Sequence, residues 1–236
     1  MIKDISKKTL TRYIMISTIL FIYFLFISLD ILSKTTVTSY STELKYLTII
    51  LFFITSLTID SATHNVKNLR LLQFALFFTL CADTCLLIFD YYKPGIFFFC
   101  IVQTLYIIRH NNIANIDKNK LLIPIILIIV LPITLNKIRP VKIEQGLYLI
   151  AIVYSVLLIT GLIIALNSTK TIAWGMIFFF LCDTNVALSF IFSVYPVYLL
   201  GIPLDYICGF LVWVFYLPSQ LLLTLSGFEN EKLHKF

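Results

Sequence analysis

The sequence predicts an all-α, polytopic membrane protein with eight transmembrane helices, and three observations carry that prediction. Of its 236 residues, 60% are hydrophobic and only 13% are charged, where a soluble domain has roughly 25% charged residues. The mean hydropathy of +0.97 leaves too little polar surface to cover a soluble core of this size. The apolar residues also fall in repeated runs, separated by short basic links, near the ~20 residues that a spanning helix needs. A single transmembrane domain over 1–236 is expected. The net charge of +6 suits membrane-flanking loops. Nucleic acid is excluded as a partner, because no segment interleaves basic and aromatic residues on one soluble surface.

The spans follow in order: Tyr13–Ile31, Tyr46–Asp60, Leu71–Asp90, Pro94–Ile108, Leu121–Leu135, Leu147–Leu166, Thr171–Phe192 and Pro203–Leu225. The first follows Lys7, Lys8 and Arg12, as a signal peptide would. Its apolar run is long, however, and no A-x-A-like cleavage site follows it, so it is read as a span. Stretches around Asn111–Asn119 and Asn136–Gly146 are polar loops. With this topology, Lys3, Lys7, Lys8, Arg12, Lys67, Arg70, Arg109, Lys118, Lys120, Lys170, Lys232 and Lys235 share the side of both termini. Only Lys34, Lys45, Lys93, Lys137, Arg139 and Lys142 lie opposite. The positive-inside rule therefore makes both termini cytoplasmic, and the isoleucine- and lysine-rich usage leans toward a bacterial plasma membrane.

A shift of 100 residues lays the third span over the seventh without a gap. Arg70 meets Lys170, Phe74 meets Trp174, Ala75 meets Gly175, Phe78 meets Phe178, and Asp83-Thr84 meets Asp183-Thr184. Both are odd-numbered spans that cross in one direction, as a parallel repeat of four-helix halves, 1–118 and 119–236, would require. Each aspartate stands about 20 Å along its helix from the basic residue that opens it. The two carboxyls are thus expected at one depth.

An ionisable side chain inside a bilayer costs at least ~2.5–3.5 kcal/mol by insertion scales, so it marks a functional candidate. Asp30, Asp60, Asp90 and Asp205 are read as interfacial because they lie at span ends. Asp83 and Asp183 lie too deep for that reading. Their plain structural alternative is a carboxyl hydrogen-bonded to a neighbouring helix. Their functional reading is an acid–base pair, since two carboxyls in a medium of low dielectric share a proton. Gln103 and Tyr106 share a face in the fourth span. Asp205, Gly209, Trp213, Tyr216 and Gln220 form one stripe in the eighth, where Pro218 should free a backbone carbonyl.

The histidines, His64, His110 and His234, fall in segments near span ends, and neither H-E-x-x-H nor G-x-S-x-G occurs. Intramembrane zinc hydrolysis, a serine–histidine site and a haem bundle are disfavoured. Cys81, Cys85, Cys100, Cys182 and Cys208 form no C-x-x-C pair and are read as packing residues.

The stretch Leu80-Cys81-Ala82-Asp83-Thr84-Cys85-Leu86-Leu87, then Gly95 and Val102-Gln103-Thr104-Leu105-Tyr106-Ile107, resembles the YhhN family of membrane lysoplasmalogenases. So do Phe180-Leu181-Cys182-Asp183-Thr184 and Tyr216-Leu217-Pro218-Ser219-Gln220. The likeness covers most of the chain from Lys45 onward. Family members have a small-residue–Asp motif in helices 3 and 7, a His-x-x-Tyr in helix 4 and a Tyr-x-x-x-Gln in helix 8. Here the small residues are Ala82 and Cys182, Gln103 replaces the histidine, and Lys45-Tyr46 corresponds to a Lys-Pro opening helix 2.

The resemblance implies hydrolysis of the vinyl ether of a lysoplasmalogen-like lysophospholipid to a fatty aldehyde and a glycerophospho-alcohol, with no metal or cofactor. Asp83 and Asp183 would be the catalytic acid and base. Gln103, Tyr106, Tyr216 and Gln220 would position the substrate. Two alternatives stay open: a proton-coupled transporter of a small molecule or lipid, and a lipid-binding member that no longer hydrolyses, which the Gln103 replacement motivates.

Overall fold

The computed structural model describes residues 2–33, 38–59, 65–114 and 144–229. Among them run seven α-helices: α1 (Ile2–Ser33), α2 (Ser39–Leu57), α3 (Val66–Asp83), α4 (Tyr92–Ala114), α5 (Gln145–Ala165), α6 (Lys170–Val194) and α7 (Leu204–Leu225). A π-helical turn, Thr84–Ile88, extends α3. A two-residue hairpin, β1 (Tyr198–Leu199) and β2 (Ile202–Pro203), links α6 to α7. These helices correspond to the first four and last three predicted spans. The fifth, Leu121–Leu135, lies outside the described residues, as do Asp60 and His64.

Five helices are long and apolar enough to cross a membrane, over Leu10–Ser33, Val66–Ile88, Gln145–Ala165, Lys170–Val194 and Leu204–Leu225. Large apolar side chains such as Phe21, Phe24, Leu32, Phe74 and Trp174 point out of the bundle. Such a surface is stable against lipid and would aggregate in water. The chain has the architecture of an integral membrane protein. The helices α2 and α4 carry more polar residues and bury many of them, Lys45, Thr48 and Thr55 on α2 and Gln103, Arg109 and His110 on α4, while Glu43, Lys93, Thr104 and Asn112 stay exposed.

Side-chain caps set several helix starts. Thr38 accepts from the Ser41 amide at 3.2 Å, Asn65 from Lys67 at 3.1 Å, and Thr169 from Ile172 at 3.4 Å. Each satisfies an amide that the first helical turn leaves without a partner. Packing is closest between α3 and α4, α4 and α5, and α6 and α7, while α2 lies against α1, α3 and α7. Buried stripes recur at three- and four-residue steps, as Leu69, Leu72, Leu76, Thr79 and Asp83 on α3, and Ile172, Gly175, Phe179 and Cys182 on α6. Small residues permit the close approaches. A Cβ on Gly175 would stand 3.0 Å from Leu223 of α7, and one on Gly95 only 2.6 Å from Leu86 in the π turn.

Two expectations need correcting. Asp30 is not interfacial: it is fully buried, its carboxylate 2.7 Å from Lys45 Nζ and accepting from Ser41 Oγ at 2.5 Å. The reason is the Thr38 cap, which starts α2 seven residues before Tyr46 and so carries Lys45 into the helix instead of a loop. The fourth helix likewise runs past Ile108 to Ala114, so Arg109 and His110 are helical and buried rather than loop residues. Asp90 is exposed, with φ of 54° in the tight turn after the π segment.

Candidate active site

Asp83 is the last α-helical residue of α3, where the backbone widens into the π turn, and it is 5% exposed. Interrupted helices of this kind concentrate at functional sites, because they re-aim side chains within an otherwise regular helix. Tyr216 of α7 donates its hydroxyl hydrogen to Asp83 Oδ2. Asp183 of α6 is partly buried, and Tyr154 of α5 donates to its Oδ2 in the same way. The two carboxyls lie within electrostatic reach of each other, and Tyr216 and the buried Cys182 thiol lie within reach of both.

A chain of aromatic contacts links the two tyrosines that hold the aspartates. The fully buried Phe179 meets Tyr216 edge-on at 6.1 Å, Tyr106 at 6.4 Å and Phe99 at 6.1 Å. Phe99 in turn lies 6.0 Å from Tyr154. Such contacts hold the Tyr216 and Tyr154 rings without using their hydroxyls, which point at carboxyl oxygens.

Gln103 and Tyr106 share a buried face of α4, as their spacing predicts, and Gln220 is buried one turn beyond Tyr216 on α7. Gln103 lies beside the Tyr154 hydroxyl, and its Oε1 would stand 3.2 Å from a Cβ on Gly161 of α5. None of the polar atoms of the Gln103 and Gln220 amides, nor the Tyr106 hydroxyl, meets hydrogen-bond geometry with another described residue. Buried polar groups are bonded in the great majority of cases, to water or ligand where protein offers nothing. Of the predicted site residues, Tyr216 touches an aspartate directly, whereas Gln103 neighbours Tyr154, Tyr106 packs on Phe179, and Gln220 lies one turn beyond Tyr216.

Sequence reasoning passed over several contributors. Tyr154, which holds Asp183, was visible only as a hydroxyl in an aliphatic run. Tyr46 of α2 shares a 2.9 Å hydrogen bond with Thr84, the residue after Asp83. Lys45 sits 4.9 Å from the Trp213 ring centre, and Trp213 packs edge-on against Tyr216 at 5.5 Å. The Asp30–Lys45 pair thus buttresses, through Trp213, the tyrosine that holds Asp83. Pro218 frees the Val214 carbonyl, which accepts from Tyr23 Oη of α1 at 3.4 Å. The five cysteines, two of them buried, all carry free thiols.

Fold and site together define an integral membrane protein of bundled α-helices whose interior holds two aspartates, each bonded by a tyrosine from another helix. More particularly, the chain belongs to the YhhN family, whose family model matches residues 40–227, from the first turn of α2 to just beyond α7. No curated protein and no solved structure gives a significant match.

Proposed function

We propose that this protein hydrolyses the vinyl ether bond of a lysoplasmalogen-like lysophospholipid through the carboxyls of Asp83 and Asp183. The observation that carries the reading is the pair itself. Each aspartate is bonded at one oxygen by a tyrosine from another helix, the Cys182 thiol lies against Asp183, and the two carboxyls are within electrostatic reach of each other.

The reaction divides naturally between two such groups. One carboxyl, protonated, gives its proton to the outer alkenyl carbon, and the π electrons form the new C–H bond. The remaining oxocarbenium ion lies beside the ionised partner, which stabilises it and takes a proton from the attacking water. The hemiacetal then collapses to a fatty aldehyde and a free glycerol hydroxyl. The proton taken from water replaces the one given to carbon, so the pair returns to its starting state. Retention of one proton between two carboxyls in low dielectric suits both half-roles, as in glycoside hydrolysis. Gln103, Tyr106 and Gln220 orient the lipid and the water. The residues supply the chemistry without a metal or organic cofactor.

The same reading takes the bundle as eight spans in two parallel halves, with both termini on the cytoplasmic face of a bacterial plasma membrane. Its support is that the packing repeats under exchange of halves: α3 on α4 answers α6 on α7, and α2 on α7 answers α5 on α4. The test is direct. Purified protein incubated with a lyso-vinyl-ether phospholipid should release aldehyde, and Asp83→Asn or Asp183→Asn should stop it. Absence of aldehyde from the folded wild type, with proton-gradient-driven flux in vesicles, would replace the hydrolase with a transporter.

A further inference from the structure

We propose that the hairpin joining α6 to α7 lies in the head-group layer of the membrane and sets Leu200 at the edge of the acyl chains, so that a lipid surface is its partner. This contact stands whether or not the aspartates cleave a lipid.

Composition sets this link apart. Between Asp183 and Asp205 no side chain is charged, and residues 195–203 hold no polar side-chain group besides two tyrosine hydroxyls. The other described links are polar, with Asp90 between α3 and α4 and Asn167, Ser168 and Thr169 between α5 and α6. Leu200 at the hairpin tip is 95% exposed, and Tyr198, Leu199 and Ile202 are exposed beside it. Leu200 and Gly201 are the two turn residues, and both have positive φ, of 52° and 82°. A two-residue turn of this kind favours Asn-Gly or Asp-Gly, because short polar side chains tolerate that backbone better than bulky ones. Leucine there bears backbone strain and, in water, an exposed apolar side chain as well. Lipid contact removes the second of these costs, whereas water removes neither.

The surroundings supply the lipid and the backbone sets the depth. Val186, Phe190 and Ile191 are exposed on α6, so the apolar outer face of that helix runs on into the hairpin. Tyr198 pairs with Pro203 and Leu199 with Ile202 in a sheet of two strands, and the Leu204 amide donates to the Val197 carbonyl at 2.9 Å. Each strand keeps an outer edge whose backbone groups meet no third strand among the described residues. Open edges are costly in hydrocarbon, which argues against a re-entrant position among the acyl chains. The head-group layer meets both demands. Water and phosphate esters there can bond the ribbon edges while Leu200 faces the acyl boundary, and tyrosine suits that layer with its apolar ring and polar tip. Tyr206, in the first turn of α7, donates to the Asp30 carbonyl at 3.2 Å, which fixes the foot of the hairpin against the end of α1.

The test uses the full chain in phosphatidylcholine nanodiscs, with Leu200→Cys compared with Glu43→Cys, an exposed acidic position of α2 at the same end of the bundle. The wild type supplies the blank for the native thiols. A charged, membrane-impermeant maleimide should modify position 200 about tenfold more slowly than position 43, because the reactive thiolate is disfavoured away from water. The two positions should react alike after unfolding in dodecyl sulfate. A bimane probe at position 200 should be quenched more strongly by lipids with a nitroxide on the head group or high on the acyl chain than by lipids with one near the chain end. Should Leu200→Cys fail to fold, Tyr198→Cys on the same ribbon should show the same pattern. Equal rates at 43 and 200, without quenching by lipid, put the hairpin in water and overturn the lipid contact. Slow modification without quenching by any lipid means that protein covers the tip, and overturns it too. Strongest quenching near the chain end overturns the head-group placement in favour of a re-entrant one.

Discussion

Tyr216 and Asp83 are joined across the bundle, the hydroxyl of α7 donating to the carboxyl that ends α3. The bond fixes one carboxyl oxygen and leaves the other to the interior. Tyr216→Phe should therefore keep the fold, whose ring contacts with Trp213 and Phe179 survive, yet lower aldehyde release about ten- to a hundredfold. Thermal unfolding in detergent, measured beside turnover, separates the two effects. Loss of folding in proportion to activity would reduce the bond to a structural one.

Tyr154 bears the same relation to Asp183. Tyr154→Phe should cost activity by a similar factor. On the proposed mechanism, in which the two carboxyls share one proton, the double variant with Tyr216→Phe should lose much less than the product of the two single losses. Strict additivity in log rate would argue that the aspartates work separately.

Removal of either carboxyl should be more severe. Asp83→Asn and Asp183→Asn keep volume and hydrogen bonding but cannot exchange a proton, and general acid–base catalysis contributes typically ~10²–10⁴-fold. Aldehyde release should drop by that range in each. A variant that retains more than a tenth of wild-type turnover removes its aspartate from the reaction.

The Asp30–Lys45 pair belongs to stability rather than chemistry. Both groups are buried, at 2.7 Å, with Lys45 also over the Phe26 and Trp213 rings. Lys45→Ala leaves a buried carboxylate uncompensated and should cost about 3–5 kcal/mol, whereas Asp30→Asn with Lys45→Met should recover most of it. Equal loss in the single and double variants, read by thermal unfolding, would show that the rings and not the charges hold this corner.

How far these relationships were legible in the sequence depends on what each one needed. The deep aspartates stood out because charge is costly in lipid, and the stripe from Trp213 through Tyr216 to Gln220 followed from helical spacing. Pro218 announced a freed carbonyl, though not that Tyr23 takes it. Tyr154 and Lys45 were hidden for opposite reasons. Tyr154 has an unremarkable place in an apolar helix, and its partner is 29 residues away. Lys45 looked like a loop cation because apolar counting starts a helix at its first greasy run. The Thr38 cap starts it earlier, and only a partner on another helix makes the buried charge tolerable. Arg109 and His110 were misread in the same way at the far end of α4.

The Tyr23–Val214 bond offers a test of how the first helix is held. Proline at position 218 has no N–H for the Val214 carbonyl one turn back, and Tyr23 of α1 supplies the missing donor at 3.4 Å. Tyr23→Phe should then cost about 0.5–1.5 kcal/mol. In a Pro218→Ala background the restored helical N–H can satisfy the same carbonyl, so Tyr23→Phe should cost almost nothing. The difference between the two costs is the coupling between proline and tyrosine. An identical cost in both backgrounds would mean that the Tyr23 hydroxyl contributes other than through the Val214 carbonyl, and that the carbonyl freed by the proline plays no part in anchoring α1.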